Sequence, residues 1–173
     1  VPDGISHGFC NNLINEYSKK ETPKEGPVIG SGEGTIDLNI RNTQRVILPQ
    51  DLGIGATLTA FGLNSNHQNW KYDITHSNQT EFLIYEPDGK YETHVDTFHK
   101  HCNETRKLTV LVFLNDDFEG GKFYIQNANE RMYPPQKKGT ILTFPSYMPH
   151  GVEPVTKGVR YSVVTWMVGP YFK

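Results

Sequence analysis

The second half of the chain is built from short apolar segments that are separated by turn-forming residues. Each segment has the length of a β-strand, and glycine-containing pieces such as Glu119-Gly120-Gly121 and Lys138-Gly139 divide the segments. Glycine suits such turns because it reaches positive φ without steric cost. The predicted strands are residues 81–85, 107–114, 122–125, 140–144 and 160–167. This arrangement predicts an antiparallel barrel or sandwich.

The first half of the chain carries helical periodicity instead. Ser6 is a typical N-cap residue, and a second helix is predicted to begin at Asp51. The apolar stripes of the two predicted helices are Phe9, Leu13, Ile14 and Tyr17, and then Ile54, Leu58 and Phe61. Short extended runs are predicted at residues 35–40 and 45–48. Helices followed by many short strands indicate an α+β protein with a double-stranded β-helix core, the jelly-roll or cupin-like architecture, flanked by N-terminal helices.

Length and charge limit the organisation and the partners. The 173 residues predict one domain, with supporting helices in about residues 1–70 and a jelly-roll core in about residues 80–173. The formal net charge of -2 provides no global basic field, so we expect neither nucleic acid nor a membrane as partner. Without a leader or a long apolar segment, we expect a cytoplasmic protein. The two cysteines, Cys10 and Cys102, are predicted to be reduced thiols.

A histidine and an aspartate two positions apart, His94 and Asp96, follow an extended segment and can point to the same face. His150 follows a later strand, and a rolled sheet can bring it opposite this pair. Two imidazoles and one carboxylate on one face leave the open positions that iron(II) oxygenases use. Judged by residue type and spacing alone, the alternative of a surface histidine and a structural turn histidine stays open.

A cationic residue follows the third candidate ligand. Arg160 begins the last long strand, where a guanidinium can reach into a barrel and bind a carboxylate with two parallel hydrogen bonds. Strand alternation puts the Ser162 hydroxyl on the same face as Arg160. A solvated charge at a strand end is the alternative for Arg160, and it is the default for Arg41 near the expected site entrance.

At these residues the chain resembles the prolyl-4-hydroxylase-type 2-oxoglutarate oxygenases. Residues 85–96, YEPDGKYETHVD, are similar to the family signature Y-x-x-G-x-x-Y-x-x-H-x-D, with Asp88 in the usual glycine position and Gly89 after it. Further blocks follow in the family's order at residues 106–116, 119–123, 139–146 and 150–166. About half of the chain is covered, and the order and spacing of the blocks make the resemblance specific.

The resemblance implies a set of ligands and binding residues. His94, Asp96 and His150 would bind Fe(II), and Arg160 would pair with the distal carboxylate of the co-substrate 2-oxoglutarate. The co-substrate pocket would also be lined by Tyr85, Thr109 and Ser162. Molecular oxygen would be the second co-substrate, and ascorbate is allowed as a reductant. Many relatives have tyrosine where this chain has Phe113, so one hydroxyl contact is missing.

The activity implied by the resemblance is hydroxylation of an unactivated C–H bond, with a prolyl residue of a peptide or protein as the expected substrate. A free amino acid or small metabolite is an alternative substrate. A cupin-like module that binds metal without turnover is an alternative of another class, and a zinc hydrolase is disfavoured by Arg160 and Tyr85. Nearby residues with less defined roles are Tyr91, Trp70 and Trp166, interpreted as packing or substrate contacts, and His99, His101 and Cys102, interpreted as a polar loop at the mouth of the site.

Overall fold

Two antiparallel β-sheets pack face to face in the computed structural model, which describes residues 1–19, 24–25, 37–97 and 103–172. In chain order the elements are α1 His7–Tyr17, β1 Lys24–Glu25, β2 Arg41–Asn42, β3 Gln44–Ile47, α2 Gly53–Asn69, β4 His76–Ser77, β5 Glu81–Tyr85, β6 Lys90–His94, β7 Glu104–Phe113, β8 Glu119–Gly120, β9 Phe123–Asn127, β10 Glu130–Met132, β11 Ile141–Pro145, β12 His150–Val152, β13 Val155–Lys157 and β14 Arg160–Pro170.

The major sheet has the strand order β1-β3-β5-β14-β7-β11, and β4 also pairs with β14. The minor sheet has the order β10-β9-β12-β6-β2, and β13 pairs with β8 in a separate two-stranded ribbon. The predicted α+β class with a double-stranded β-helix core is therefore confirmed.

The central strands of the major sheet are buried on both faces, and their alternating side chains enter two separate cores. From β5, Phe82 and Ile84 pack with the helices, whereas Leu83 and Tyr85 point between the sheets. The space between the sheets thus receives alternate residues of β5, β7 and β14, and it is the space in which the predicted site residues meet.

The two helices cover the outer face of the major sheet. The α1 prediction is confirmed, since the Ser6 hydroxyl accepts a hydrogen bond from the Phe9 amide at 3.3 Å. Helix α2 begins at Gly53 rather than at Asp51. Its Gly62 lowers helix propensity but allows close packing, because a Cβ there would lie 2.9 Å from Val110 and 3.0 Å from Met167.

The prediction of an extended run at residues 35–40 is wrong in its described part. Residues 37–40 form a turn rather than a strand, because the Asp37 carboxylate accepts the Asn39 amide at 2.9 Å and the Asp37 carbonyl accepts the Ile40 amide at 3.0 Å. At the turn before β6, Asp88, which stands in the usual glycine position of the family signature, has a positive φ of 68°. The start of the predicted strand 35–40 lies outside the described residues.

The described part of the chain contains no helix long and apolar enough to cross a membrane. Cys10 is a free thiol buried in α1, where burial raises its pKa. Cys102, His99 and His101 lie outside the described residues, so the interpretation of that segment as a polar loop stays a prediction.

Candidate metal centre and the adjoining cavity

The three predicted metal ligands converge between the sheets. His94 ends β6 and His150 begins β12, and the two residues are direct partners across these paired strands. Asp96 lies just after β6, where its amide donates to the Ser146 carbonyl at 2.8 Å. The Nε2 atoms of His94 and His150 lie 3.5 and 3.4 Å from the Asp96 carboxylate, and one ligand atom from each residue falls within 4.8 Å of the others. The adjacency of β6 and β12 thus joins the local His-x-Asp pair to the distant histidine.

Both imidazoles are oriented by backbone carbonyls. His94 Nδ1 lies 2.8 Å from the Glu92 carbonyl, and His150 Nδ1 lies 2.8 Å from the Met148 carbonyl. A carbonyl only accepts, so Nδ1 carries the proton and Nε2 of the neutral ring presents its lone pair. This pattern, in which the second ring nitrogen donates to a fixed acceptor, is typical of metal-binding histidines.

The Asp96 carboxylate is held by two donors from the major sheet. Thr109 Oγ1 lies 2.8 Å and Trp166 Nε1 lies 2.9 Å from Asp96 Oδ2. Ser146 Oγ lies 3.0 Å from Thr109 Oγ1 and extends this buried network. Both donors approach Oδ2, so they fix the carboxylate plane and direct Oδ1 toward His94.

Electrostatics keep the carboxylate ionised. Burial raises the pKa of Asp96, but the His150 and His94 imidazoles outweigh burial and hold that pKa well below its usual range. Burial, together with the charge of His150, lowers the pKa of His94, although Asp96 and the Glu92 carbonyl act to raise it. For His150 the balance is reversed, because Asp96 outweighs burial and raises the pKa. Asp96 is therefore an anion across the physiological pH range, as a metal ligand must be.

Arg160 is a buried cation on the opposite wall of the same space. It is 1% exposed, and its Nη1 donates to Ser162 Oγ at 3.1 Å. Its guanidinium carbon lies 4.9 Å from the centre of the Tyr85 ring. Within the described part of the chain, its Nε and Nη2 atoms have no hydrogen-bond partner. Burial lowers the pKa of Arg160, yet a guanidinium stays charged at neutral pH, so an anion in the cavity would compensate this buried charge.

One cavity joins the two halves of this arrangement. It encloses about 700 Å³ of empty space, part of it open to solvent. Its lining includes all seven residues that the sequence assigned to the metal and the co-substrate, namely His94, Asp96, His150, Arg160, Tyr85, Thr109 and Ser162. The Thr109 hydroxyl donates a hydrogen bond to Asp96, so Thr109 contacts the carboxylate of Asp96 rather than Arg160. The apolar part of the lining consists of Leu83, Leu111, Phe123, Phe144, Val152 and Val164.

Sequence reasoning missed several neighbours of the triad. Trp166 was assigned to packing or substrate contact, yet its indole bonds to Asp96; the alternation from Arg160 through Ser162 and Val164 would have placed it on this face. Tyr91 stacks on the His94 ring with a centroid distance of 3.5 Å. Burial raises the pKa of Tyr91 to about 12. Trp70, by contrast, packs against the helix-side core.

Comparison with known proteins gives consistent results. The family model of the 2OG-Fe(II) oxygenase superfamily matches residues 80–168. A PKHD-type hydroxylase of Gloeothece citriformis is 34% identical over 89 residues, which are 50% of this chain and 40% of that protein. A PKHD-type hydroxylase of a Synechococcus strain is 30% identical over 88 residues, or 48% of this chain and 39% of that protein. The chain thus spans about two fifths of the length of these curated relatives.

Solved structures share the fold at low identity. A Trichoplax adhaerens prolyl hydroxylase, in complex with a hypoxia inducible factor peptide fragment, has a TM-score of 0.77 and 18% identity, covering 93% of this chain and 77% of its own. A Pseudomonas putida prolyl-4-hydroxylase has a TM-score of 0.72 and 18% identity, covering 95% of this chain and 88% of its own. These likenesses establish the fold.

Proposed function

Because the chain belongs to the 2OG-Fe(II) oxygenase superfamily, we propose that it is an iron(II)- and 2-oxoglutarate-dependent hydroxylase acting on a prolyl residue of a peptide or protein. His94, Asp96 and His150 would hold the iron. Arg160 would bind the distal carboxylate of 2-oxoglutarate. The proposal concerns the activity of the part of the chain that the structure describes. Molecular oxygen would be the second co-substrate.

Arg160 carries this proposal. A metal-binding module that lacks turnover needs the triad alone. A buried guanidinium in the same cavity, two of whose nitrogens have no partner among the described residues, favours an anionic ligand as well. Two imidazoles with one carboxylate are also the donor set of non-haem iron(II) oxygenases. The residues therefore fit both the metal and a dicarboxylate co-substrate.

The chemistry that bound iron(II) and 2-oxoglutarate supply is the oxidation of an unactivated C–H bond to an alcohol. The residues of the chain would bind the metal and the co-substrate, orient them and exclude water. Thr109 and Trp166 orient Asp96, and the backbone carbonyls of Glu92 and Met148 orient the two imidazoles. Ser162 accepts a hydrogen bond from the Arg160 guanidinium and so orients it, and the apolar residues of the lining would limit the access of water to the co-substrate.

A prolyl substrate is supported by the names of the relatives. The Trichoplax adhaerens and Pseudomonas putida proteins are prolyl hydroxylases, and human prolyl 3-hydroxylase 2 is 30% identical over 110 residues, which are 59% of this chain and 14% of that protein. The Trichoplax adhaerens structure contains a peptide fragment, which favours a peptide or protein over a free amino acid.

The proposed function is tested by adding iron(II) and then 2-oxoglutarate to the purified protein without oxygen. We expect a metal-to-ligand charge-transfer band in the visible region that saturates with 2-oxoglutarate. Admission of air should then produce succinate, and zinc in place of iron should produce neither signal. Iron binding without the band or succinate would favour the non-catalytic module, and zinc-dependent hydrolysis would favour a hydrolase.

A smaller effect is expected from Trp166→Phe, which keeps an aromatic ring but removes the 2.9 Å hydrogen bond to Asp96. Loss of such a supporting contact typically weakens metal affinity by about tenfold to a hundredfold. Iron(II) affinity is measured by anaerobic competition with a chelator. Trp70→Phe is the matched control, because Trp70 packs in the other core. Equal iron affinity in both variants would contradict the assigned role of Trp166.

A further inference from the structure

Strand β6 contains one residue more than its partner strand β12 in the stretch that ends at the metal centre. His150 of β12 lies opposite His94 and Val152 lies opposite Tyr91, so two steps along β12 correspond to three along β6. The extra residue between Tyr91 and His94 makes a β-bulge. Residues three apart in a regular strand point to opposite faces, yet Tyr91 and His94 both line the cavity and their rings stack at 3.5 Å. The bulge therefore turns His94 toward the metal centre.

The bulge consists of Glu92 and Thr93, and each of them contacts a neighbouring element. The Glu92 carbonyl lies 2.8 Å from His94 Nδ1, and the Glu92 amide donates to the Ile40 carbonyl at 2.9 Å. Thr93 Oγ1 lies 2.9 Å from the hydroxyl of Tyr124, which belongs to β9. In the minor sheet β12 lies between β9 and β6. A tyrosine two strands away thus contacts the segment that sets the direction of His94.

Tyr124 reaches β6 by crossing β12. It is the direct partner of Gly151 in β12, and it is 1% exposed. A Cβ at residue 151 would lie 2.6 Å from Cζ of the Tyr124 phenol, a contact that only glycine avoids. The neighbouring Phe123 and Ile125 pack between the sheets, so Tyr124 lies on the outer face of the minor sheet, away from the cavity.

An arginine packs on the ring of Tyr124. The guanidinium carbon of Arg131 is 4.0 Å from the centre of the ring, and Arg131 pairs with Glu153 at 3.1 Å. Glu153 directly follows β12, so this ion pair ties Arg131 to the same strand that the phenol crosses. Arg131 and Gly151 therefore limit the positions of the ring and keep its hydroxyl at the bulge.

We propose that Tyr124 is a positioning residue, which holds the bulge of β6 in the register that directs His94 to the metal. The inference rests on the proposed function and adds to it a residue outside the cavity. Without the hydrogen bond to Thr93 the extra residue can move along β6, and a shift of one residue reverses the face to which a side chain points. The effect should be specific to His94, because His150 is oriented by the Met148 carbonyl at 2.8 Å.

The first test observes the two imidazoles in the metal-free protein by long-range proton–nitrogen NMR at alkaline pH. In the unmodified protein we expect both neutral rings to carry the proton on Nδ1, as their carbonyl partners require. In Tyr124→Phe, His94 should become a mixture of the two tautomers, because the Glu92 carbonyl is no longer held in place. His150 should keep its proton on Nδ1, and it is an internal reference because a general loss of structure would change both rings.

The second test measures iron(II) affinity by anaerobic competition with a chelator. Tyr124→Phe and Thr93→Val should each weaken iron binding about threefold to tenfold, the range for the net contribution of one hydrogen bond. The double variant should bind iron no more weakly than either single variant, because all three lack the same bond. Thr93→Ser keeps the hydroxyl and should bind iron nearly as tightly as the unmodified protein.

Two control variants remove hydroxyls that bond elsewhere. Tyr133→Phe removes a hydroxyl that donates to Glu153 at 2.7 Å, and Thr43→Val removes a buried hydroxyl that donates to the Ile84 carbonyl at 2.9 Å. Both acceptors lie outside β6. Neither control should change the His94 tautomer or the affinity for iron(II).

A change of tautomer at His94 alone, together with a non-additive loss of iron affinity, would support the role of Tyr124. An unchanged His94 tautomer, equal changes at both imidazoles, or additive losses in the double variant would overturn it. The proposed function fails separately, if the unmodified protein shows neither the charge-transfer band nor succinate. The NMR result is obtained without metal or co-substrate, so the two failures are distinguishable.

Discussion

Replacing His150 with alanine is expected to abolish turnover and to weaken iron(II) binding by more than a hundredfold. The substitution would remove one of the three proposed protein ligands, and this loss should cost more than the tenfold to hundredfold typical of losing a supporting contact. It also leaves Asp96 without the neighbour that most strongly lowers its pKa. His94→Ala should behave alike, because the two imidazoles face the carboxylate at 3.4 and 3.5 Å.

Metal content after anaerobic reconstitution and succinate release measure this effect. His67→Ala is the control, because His67 is an exposed histidine of α2 outside the cavity lining. Circular dichroism should show that all three variants, His94→Ala, His150→Ala and His67→Ala, are folded. Near-normal iron affinity in His94→Ala and His150→Ala would remove the metal assignment.

Replacing Arg160 with alanine is expected to weaken 2-oxoglutarate binding at least about thirtyfold while the iron content stays unchanged. Truncating one partner of a buried charged pair costs about 2 to 5 kcal/mol, since the other charge stays buried without compensation. Arg160→Lys should lie between alanine and the unmodified protein. The ammonium keeps the charge but lacks the planar fork of donors.

Anaerobic titration of the charge-transfer band measures 2-oxoglutarate binding without requiring the substrate. Because Arg160 is 1% exposed, thermal unfolding of each variant should be recorded to confirm that it is folded at the assay temperature. If the folded Arg160→Ala variant binds 2-oxoglutarate as tightly as the unmodified protein, Arg160 does not bind the distal carboxylate of the co-substrate.

Much of the site could be predicted from the sequence because its parts are local or periodic. His94 and Asp96 are two positions apart, and Arg160 and Ser162 follow the alternation of one strand. The meeting of His150 with His94 depends on the pairing of β12 with β6, which no local pattern encodes. The assignment of His150 to the same metal site as His94 therefore depended on the family resemblance rather than on periodicity.

What the sequence did not predict depends on contacts between distant elements. The bond from Trp166 to Asp96 joins the major sheet to the end of a minor-sheet strand. Arg41 was expected to be a solvated charge, but it is buried. Its burial results from the pairing of β2 with β6, which sets Arg41 opposite Tyr91, and no local sequence pattern predicts this pairing. The turn at residues 37–40 was missed because the Asp37 side chain satisfies an amide that strand pairing would otherwise bind.

The division of the site between two sheets has a consequence for stability. The histidines belong to the minor sheet, whereas Arg160 belongs to the major sheet. A molecule held at both ends is a noncovalent cross-link, and it binds only the native arrangement. By mass action, such a ligand at a hundred times its dissociation constant adds about 2.7 kcal/mol to the free energy of unfolding. Separation of the sheets would then require release of the ligand, so co-substrate supply would set the resistance of the protein to proteolysis.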